Sequence, residues 1–192
     1  MSTERVIGVL ALQGDVPEHL RTLQRLGITA QPVRTAEEIA ACAGLVIPGG
    51  ESTTIGLLME RFGLREPMVD LAQRGAPILG TCAGMILLAK DIIGSDQPRL
   101  GLMDISVRRN AFGRQVDSFE TDLEIPVLGP EPVRAVFIRA PYIEAVGPKV
   151  EALATFEGHP VFVRQGNLLA VAFHPELTED LRVHQYFLDL AP

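Results

Sequence analysis

Several features that would assign this chain to a specialised class of protein are scarce in its sequence. Only two of its 192 residues are cysteine, Cys42 and Cys82, so the sequence predicts no disulfide framework and favours a reducing, cytoplasmic setting. Every apolar run is interrupted by Gly, Pro or a charged residue before it could span a bilayer. The residues after Met1 lack the long apolar stretch and small-residue cleavage site of a signal peptide. We therefore expect a soluble cytoplasmic protein that does not associate with a membrane.

Basic residues are also few compared with acidic residues. The chain has 17 Lys and Arg against 24 Asp and Glu, a net charge of −7 at pH 7, whereas nucleic-acid binding requires a concentrated basic face. Small arginine clusters such as Arg108 and Arg109 could still hold one carboxylate or small anion. Apolar residues make up 47% of the sequence, which is enough for a continuous core, and no linker or repeat divides the chain. We predict one domain, residues 1–192, that does not bind nucleic acid.

The first half of the sequence alternates between short apolar runs and segments with helical spacing of apolar residues. Thr35 and Glu38 form a capping-box pattern that predicts the start of one short helix. After Gly94, predicted strands follow one another with few helices between them. These patterns predict an α/β fold of three layers, with a mostly parallel sheet, helices on both of its faces and an antiparallel extension. The predicted strands are 6–10, 30–33, 45–47, 77–79, 104–107, 119–125, 133–138, 161–163 and 168–173, and the predicted helices include 55–62, 67–74, 85–89 and 179–190.

The segment Gly80-Thr81-Cys82-Ala83-Gly84 follows an apolar strand and precedes an apolar helical run. This G-x-C-x-G pattern is typical of a nucleophile elbow, in which a sharp strand-to-helix turn lifts the nucleophile out of the sheet. Free N–H groups at the helix N-terminus stabilise a thiolate, and the N–H of Ala83 can serve as an oxyanion donor. The pattern alone also fits a structural cysteine in a tight turn. Its place at the carboxyl end of a parallel strand favours Cys82 as a nucleophile, whereas Cys42 lacks such surroundings and is predicted to be an inert core thiol.

A cysteine nucleophile needs a general base, and the base usually needs a third group that orients it. His174 ends an apolar strand and opens the sequence His174-Pro175-Glu176. Proline keeps the preceding residue extended, and side chains two positions apart then point to the same side, so Glu176 can reach the His174 ring. A strand-end histidine with an unrelated acidic neighbour would look the same, but beside an elbow cysteine the pair is interpreted as base and orienter. The other three histidines are expected to be surface or capping residues: His19, His159 and His184.

A glycine-rich loop, Pro48-Gly49-Gly50-Glu51-Ser52-Thr53, follows the third predicted strand and should lie at the same sheet edge as Cys82. Its two glycines let the backbone approach a ligand closely, and their N–H groups can complete an oxyanion hole. The loop is not a P-loop, because no G-K-[ST] ending follows and no lysine is nearby. A simple turn in which Ser52 or Thr53 caps the next helix is the alternative interpretation.

With these motifs in place, the chain resembles the class I glutamine amidotransferases, a group with a flavodoxin-like α/β fold. Within that group it resembles the glutaminase subunits of pyridoxal 5'-phosphate synthases. The cysteine and histidine motifs indicate only the wider superfamily, whereas segments 109–119 and 138–141 point to the vitamin B6 branch. The resembling segments cover nearly the whole chain and are Leu12-Gln13-Gly14, 48–54, 80–84, 109–119, 137–141 and 173–178.

The resemblance implies a reaction and a set of site residues. Cys82 would attack the side-chain amide of L-glutamine and form a glutamyl thioester, with His174 transferring protons and Glu176 orienting His174. Gly50 and Ala83 would form the oxyanion hole. The resemblance implies neither a cofactor nor a metal. The residues that match the family's glutamine-binding positions are Gly49, Gly50, Glu51, Arg109, Ile138 and Arg139.

The resemblance also implies a protein partner. Members of this family pass ammonia to a separate barrel-shaped synthase subunit, which builds pyridoxal phosphate from a pentose phosphate and a triose phosphate, and the two subunits form a hetero-oligomer. This chain is too short to contain that barrel. Three rival interpretations stay open: a glutaminase for histidine, tryptophan or nucleotide synthesis, a cysteine peptidase or deglycase, and a non-catalytic binding module. Segment 109–119 disfavours the first, and the complete set of cysteine, histidine and glycine-loop motifs disfavours the other two.

Overall fold

The computed structural model describes residues 5–110 and 118–191 of the chain, so residues 111–117 of the resembling segment 109–119 lie outside the described residues. The strands within these ranges are β1 (Ile7–Leu10), β2 (Ala30–Val33), β3 (Gly44–Ile47), β4 (Ile78–Thr81), β5 (Ala89–Ile92), β6 (Met103–Arg108), β7 (Ser118–Leu123), β8 (Val133–Ile138), β9 (Tyr142–Val146), β10 (Glu151–Phe156), β11 (His159–Gln165) and β12 (Leu168–Val171). The α-helices are α1 (Val16–Arg25), α2 (Ala36–Ala40), α3 (Ser52–Arg61), α4 (Arg65–Gln73), α5 (Ala83–Leu88) and α6 (Arg182–Asp189), and two short 3₁₀ helices span Pro126–Leu128 and Pro175–Leu177. None of the helices in the described ranges has the length and apolar character needed to cross a membrane.

A seven-stranded sheet forms the centre of the fold, with the strand order β10-β11-β12-β4-β3-β1-β2. The five strands from β12 to β2 in this order pair in parallel, and β11 and β10 extend the sheet antiparallel at the β12 edge. Every residue of β1, β3, β4 and β12 is buried, as is usual for parallel strands whose faces are covered. The predicted α/β fold with a mostly parallel sheet and an antiparallel extension is therefore confirmed.

The strand order determines where the sequence motifs meet. Strand β4 lies between β3 and β12, with Gly80 opposite Ile47 and Thr81 opposite Val171. Because the three strands run in the same direction, their carboxyl ends lie at one edge of the sheet. The elbow, the glycine-rich loop and the His174 segment begin at these three ends, so the fold brings all three motifs together.

Local sequence signals account for several element boundaries. The Thr35 side chain accepts a hydrogen bond from the Glu38 N–H at 3.2 Å, and the Glu38 carboxylate accepts one from the Thr35 N–H at 3.1 Å. This reciprocal pair is the predicted capping box, and it starts α2. Three strands were not predicted from the sequence: β5, β9 and β10. The predicted helix 85–89 instead ends at Leu88, and Ala89 begins β5.

Candidate active site

Cys82 occupies a sharp turn between β4 and α5. Its φ of +49° is a left-handed backbone conformation that non-glycine residues seldom adopt and that concentrates at functional sites. The Cys82 N–H donates to the Val171 carbonyl at 2.8 Å, which fixes the turn against β12. A Cβ atom at Gly80 would lie 2.6 Å from the Gly84 carbonyl carbon and oxygen, so the turn closes only because Gly80 has no side chain. Ala83 follows as the first residue of α5, where an N–H has no carbonyl partner within its own helix.

His174 and Glu176 form a buried pair next to this turn. The His174 Nδ1 atom lies 2.6 Å from the Glu176 Oε1 atom, so the contact expected between these side chains is present. The His174 N–H donates to the Val136 carbonyl at 2.8 Å, which attaches the residue to β8. Because Nδ1 is engaged by the carboxylate, Nε2 is the ring nitrogen available for proton transfer to another group.

The pKa values of this pair shift in the same direction. Burial lowers the pKa of His174, but hydrogen bonds with Asp15, Cys82 and Glu176 and the charge of Glu176 outweigh burial and raise the pKa to about 12. Burial raises the pKa of Glu176, and its hydrogen bond and charge interaction with His174 oppose that effect. The contact of 2.6 Å favours a protonated ring beside an ionised carboxylate. His174 therefore carries a proton at neutral pH and can act as a general acid beside Cys82.

Asp15 is a candidate functional residue that the sequence did not reveal. Its Oδ2 atom lies 3.4 Å from His174 Nδ1, so two carboxylates face the same ring nitrogen. No sequence signal could have identified it, because it precedes α1 and lies far from His174 along the chain. The ligand atoms of Asp15, His174 and Glu176 lie within 4.8 Å of one another, a spacing that could also hold a metal ion. The short His174–Glu176 contact of 2.6 Å makes the same set suitable for acid–base chemistry.

The glycine-rich loop packs tightly against this pair. A Cβ atom at Gly49 would lie 2.5 Å from His174 Cε1 and 2.9 Å from Asp15 Oδ2. The Gly49 carbonyl accepts a hydrogen bond from the Asp15 N–H at 3.0 Å, which sets the orientation of the Gly49–Gly50 peptide and of the Gly50 N–H. The Gln13 Oε1 atom accepts from the Glu51 N–H at 2.7 Å and holds the other end of the loop.

Glu51 caps the next helix instead of Ser52 or Thr53, the residues considered for that role from the sequence. Its carboxylate accepts hydrogen bonds from the Thr53 N–H at 3.2 Å and the Thr54 N–H at 2.7 Å. These bonds, with a third from the Thr54 hydroxyl, lower the pKa of Glu51 although burial opposes the shift. Glu51 is therefore a negatively charged cap at the N-terminus of α3 and at the edge of the site.

Arg109 is held in place by polar side chains from two other segments. Its Nη1 donates to Gln97 Oε1 at 2.7 Å and to Thr53 Oγ1 at 3.2 Å, and its Nη2 lies 3.5 Å from Glu51 Oε1. Gln97 is buried, and its Nε2 atom has no hydrogen-bond partner among the described residues. The amide oxygen of Gln97 must face Arg109, because the guanidinium only donates. Gln97 is a second site residue that the sequence did not reveal.

A cavity of about 330 Å³ unites these groups. Of the predicted site residues, Gly50, Glu51, Cys82, Ala83, Arg109, Ile138, Arg139 and His174 line it. Gly49 and Glu176 do not line it, but both contact His174. The cavity is also lined by Gln13, Asp15, Ser52, Ile86 and Asn110. A larger surface groove of about 630 Å³, bordered by α2 and α4, has no thiol or imidazole in its lining, so size alone does not mark the reactive site.

Two of the other histidines contradict the prediction made for them. His19 and His184 were expected to be surface or capping residues, but both are completely buried. The His19 Nδ1 atom lies 2.9 Å from the His184 Nε2 atom, and the His19 Nε2 atom lies 3.6 Å from Glu176 Oε2. The prediction was wrong because α1 packs against the 3₁₀ helix that carries Glu176, and His184 on α6 contacts His19 in this buried layer. His159 is partly buried and stacks on Tyr142, with ring centroids 3.8 Å apart.

A family model and two curated relatives place the chain among the same kind of protein. Residues 9–191 match the model of the SNO glutamine amidotransferase family. A protein of Moorella thermoacetica named pyridoxal 5'-phosphate synthase subunit PdxT is 67% identical over 184 residues, which cover 96% of this chain and 98% of that protein. A protein of the same name from Pasteurella multocida is 59% identical over 185 residues, which cover 96% of this chain and 95% of that protein.

Solved structures support the same relationship. A crystal structure of a glutamine amidotransferase superposes with a TM-score of 0.92 at 53% identity, covering 96% of this chain and 98% of that one. The structure of PurLQS from Thermotoga maritima superposes with a TM-score of 0.73 at 16% identity, covering 96% of this chain and 97% of that one. At that identity the second similarity concerns the fold alone.

Proposed function

The chain belongs to the SNO glutamine amidotransferase family, and we propose that it hydrolyses L-glutamine to L-glutamate and ammonia for pyridoxal 5'-phosphate synthesis. The observation that carries this proposal is the cavity itself. It brings an elbow cysteine and a carboxylate-supported histidine together with two arginines, Arg109 and Arg139. A thiol with its base provides acyl transfer, and arginines provide recognition of a free carboxylate.

The reaction begins at Cys82. Its thiolate attacks the side-chain amide carbon of glutamine, and the carbonyl oxygen becomes an oxyanion. The C–N bond then breaks, His174 gives its proton to the departing nitrogen, and ammonia leaves behind a glutamyl thioester. Water attacks the thioester while His174 takes a proton from it, and the C–S bond breaks to release glutamate. Glu176 keeps the ring oriented throughout and stabilises its protonated form.

The oxyanion is assigned to two backbone donors, the N–H groups of Ala83 and Gly50. Ala83 contributes the free N–H of the first helical residue beside the nucleophile. Gly50 contributes the N–H of the peptide that the Asp15 N–H orients through the Gly49 carbonyl. Both donors are backbone N–H groups, which stabilise the developing negative charge by direct hydrogen bonds.

Recognition of the amino-acid end of glutamine is assigned to the remaining predicted residues. Arg109 and Arg139 suit the α-carboxylate, and the carboxylate of Glu51 suits the α-ammonium group. Gly50 and Ile138 line the cavity beside Cys82, whose Sγ atom lies 3.9 Å from the Ile138 carbonyl oxygen, and Gly49 packs behind them against His174. The volume of about 330 Å³ is large enough for one amino acid.

The ammonia is passed to a partner. The relatives are named as subunits of pyridoxal 5'-phosphate synthase, so we propose that this chain assembles with a separate synthase subunit in a hetero-oligomer. Ammonia acts as a nucleophile only while unprotonated, which favours its direct transfer between subunits. We further propose that residues 1–192 act as one domain, because the site draws residues from β3, β4, β8 and β12 and their following loops.

Isotope transfer tests this function. The full chain and its synthase subunit are supplied with amide-¹⁵N glutamine, a pentose phosphate, a triose phosphate and an excess of unlabelled ammonium. The proposal predicts that pyridoxal phosphate carries ¹⁵N despite the unlabelled pool. Release of labelled ammonia without labelled product would contradict the assignment of the acceptor, and absence of any glutamine hydrolysis would contradict the activity itself.

A further inference from the structure

Two buried histidines lie behind Glu176 and outside the cavity. His19 on α1 and His184 on α6 are completely buried, with 2.9 Å between His19 Nδ1 and His184 Nε2. On its other side, His19 Nε2 lies 3.1 Å from the Thr81 hydroxyl and 3.6 Å from Glu176 Oε2. The pair therefore connects α6 to Glu176, the carboxylate that orients the proposed base His174.

The hydrogen positions of this pair follow from its surroundings. Burial lowers the pKa of both rings, that of His184 to about 4, so both are neutral at pH 7 and share one hydrogen between them. If His19 Nδ1 were the donor, the lone pair of His19 Nε2 could accept from the Thr81 hydroxyl at 3.1 Å, but it would also face the Glu176 carboxylate. His184 Nδ1 would then also carry a buried N–H with no partner among the described residues. The opposite arrangement leaves no such N–H, so we assign the donor to His184 and the hydrogen of His19 to Nε2, where it faces both Thr81 and Glu176.

The two carboxylate oxygens of Glu176 differ in their hydrogen bonding. One oxygen of its carboxylate, Oε1, contacts His174 Nδ1 at 2.6 Å. The other, Oε2, is buried and has no hydrogen-bond partner among the residues that the structure describes. An unpaired buried carboxylate oxygen is costly. The Nε2 atom of the neutral His19 lies 3.6 Å from it, slightly beyond hydrogen-bond distance, and also faces the Thr81 hydroxyl at 3.1 Å. A small movement of either side chain completes the bond.

We propose that His19, kept in its Nε2–H form by His184, is a positioning residue that supplies the hydrogen bond to the second oxygen of Glu176. This inference rests on the proposed function. The series of side chains in contact thus extends from Cys82 through His174 and Glu176 to His19 and His184.

The hydrogen bond to Glu176 Oε2 would act at one stage of the proposed reaction. When His174 carries its proton, the charge of Glu176 is balanced across the Nδ1 contact. After His174 gives that proton to the departing ammonia, the ring is neutral and the carboxylate loses its ionic partner. A fixed N–H on Oε2 stabilises the carboxylate at that stage, so Glu176 stays charged and His174 can regain a proton from water.

Ring-nitrogen NMR on the wild-type full chain tests the tautomer directly. The chain has four histidines, so ¹⁵N-histidine labelling gives few ring signals, and single substitutions assign them. At pH 7 we expect His19 and His184 to be neutral with the hydrogen on Nε2. A protonated His19, or a hydrogen on its Nδ1, would overturn the proposal. This measurement needs no activity, so it stays decisive if the chain proves inactive toward glutamine.

Kinetics test the positioning role with two variants of one residue. His19→Leu removes the donor, and we expect kcat per titrated Cys82 thiol to fall by about ten- to hundredfold, the loss of a hydrogen bond to a charged group. KM should stay within about twofold of the wild-type value, because no substrate contact changes. His19→Gln places an amide N–H near the position of Nε2 and should restore most of the activity. His159→Leu, which removes a histidine outside the site, is the control and should leave kcat unchanged.

The pH profile separates positioning from a purely structural role. The titratable groups that face Glu176 are His174, Asp15 and His19. Without the His19 donor the Glu176 carboxylate is harder to ionise, so the acid limb of the kcat profile should move to higher pH in His19→Leu and not in His19→Gln. Equal activity losses in both variants, with an unmoved acid limb, would overturn the proposal. Should His19→Leu fail to fold, the wild-type tautomer still decides.

Discussion

Substitution of Gly49 by alanine tests the tight contact between the glycine-rich loop and the base. The added Cβ atom would lie 2.5 Å from His174 Cε1, whereas ordinary contact begins at 3.4 Å. Relief of this clash requires the loop or the ring to move by roughly 1 Å, a displacement of catalytic groups that can cost about a hundredfold in rate. We therefore expect Gly49→Ala to reduce kcat for glutamine hydrolysis by about two orders of magnitude.

A glycine elsewhere provides the control for this change. A Cβ atom at Gly8 would lie 2.7 Å from Cys42 Sγ and 3.2 Å from the Val33 methyl groups, so Gly8→Ala introduces a similar clash outside the cavity. Both variants should lose about 1–3 kcal/mol of unfolding free energy through overpacking. Only Gly49→Ala should lose kcat per titrated thiol. Full kcat in a folded Gly49→Ala protein would refute the placement of this loop against His174.

Three further predictions concern recognition and stability. Gln97→Leu removes the shortest hydrogen bond to Arg109 and should raise the KM for glutamine by roughly tenfold with kcat preserved. Steady-state kinetics would measure both constants, and the control Gln73→Leu, at an exposed residue, should change neither. Glu51→Ala removes the cap of α3 and should lower the free energy of unfolding by about 1 kcal/mol in urea titrations, and an unchanged midpoint would contradict the capping role. The pKa of His184 falls from 6.5 to about 4 on folding, so the unfolded chain binds more protons between these values and stability decreases as pH falls. In urea titrations at pH 6.5 and pH 4, the free energy of unfolding of the wild type should decrease by about 3 kcal/mol more than that of His184→Gln. Equal decreases in the two proteins would contradict the lowered pKa of His184.

The sequence predicted the elements whose apolar pattern is strong. The buried strands β3 and β4 and the turn at Cys82 were found because continuous apolar runs ended at glycine-rich segments. Strand β9 was missed because only Ile143 among its residues is fully buried, which leaves no alternating pattern. Strand β5 was missed because it begins directly after Leu88, with no glycine or proline to separate it from α5.

The sequence predicted those residues of the candidate site that directly follow the ends of strands. Cys82 and His174 follow β4 and β12, so a local pattern and the rule for parallel sheets were enough. Asp15, Gln97 and His19 carry no such pattern. Their roles arise from contacts between segments distant in sequence, and only the packed structure shows which polar group meets which.

A single thiol, that of Cys82, is proposed to perform glutamine hydrolysis. The most direct measurement is ammonia release from glutamine by the wild-type chain, Cys82→Ala and Cys42→Ala, each with and without the synthase subunit. We predict that release disappears in Cys82→Ala under both conditions. Release should persist in Cys42→Ala, whose thiol is buried beside Gly8 and has a pKa raised by burial. Ammonia release that survives in Cys82→Ala would contradict the role of Cys82 as the nucleophile.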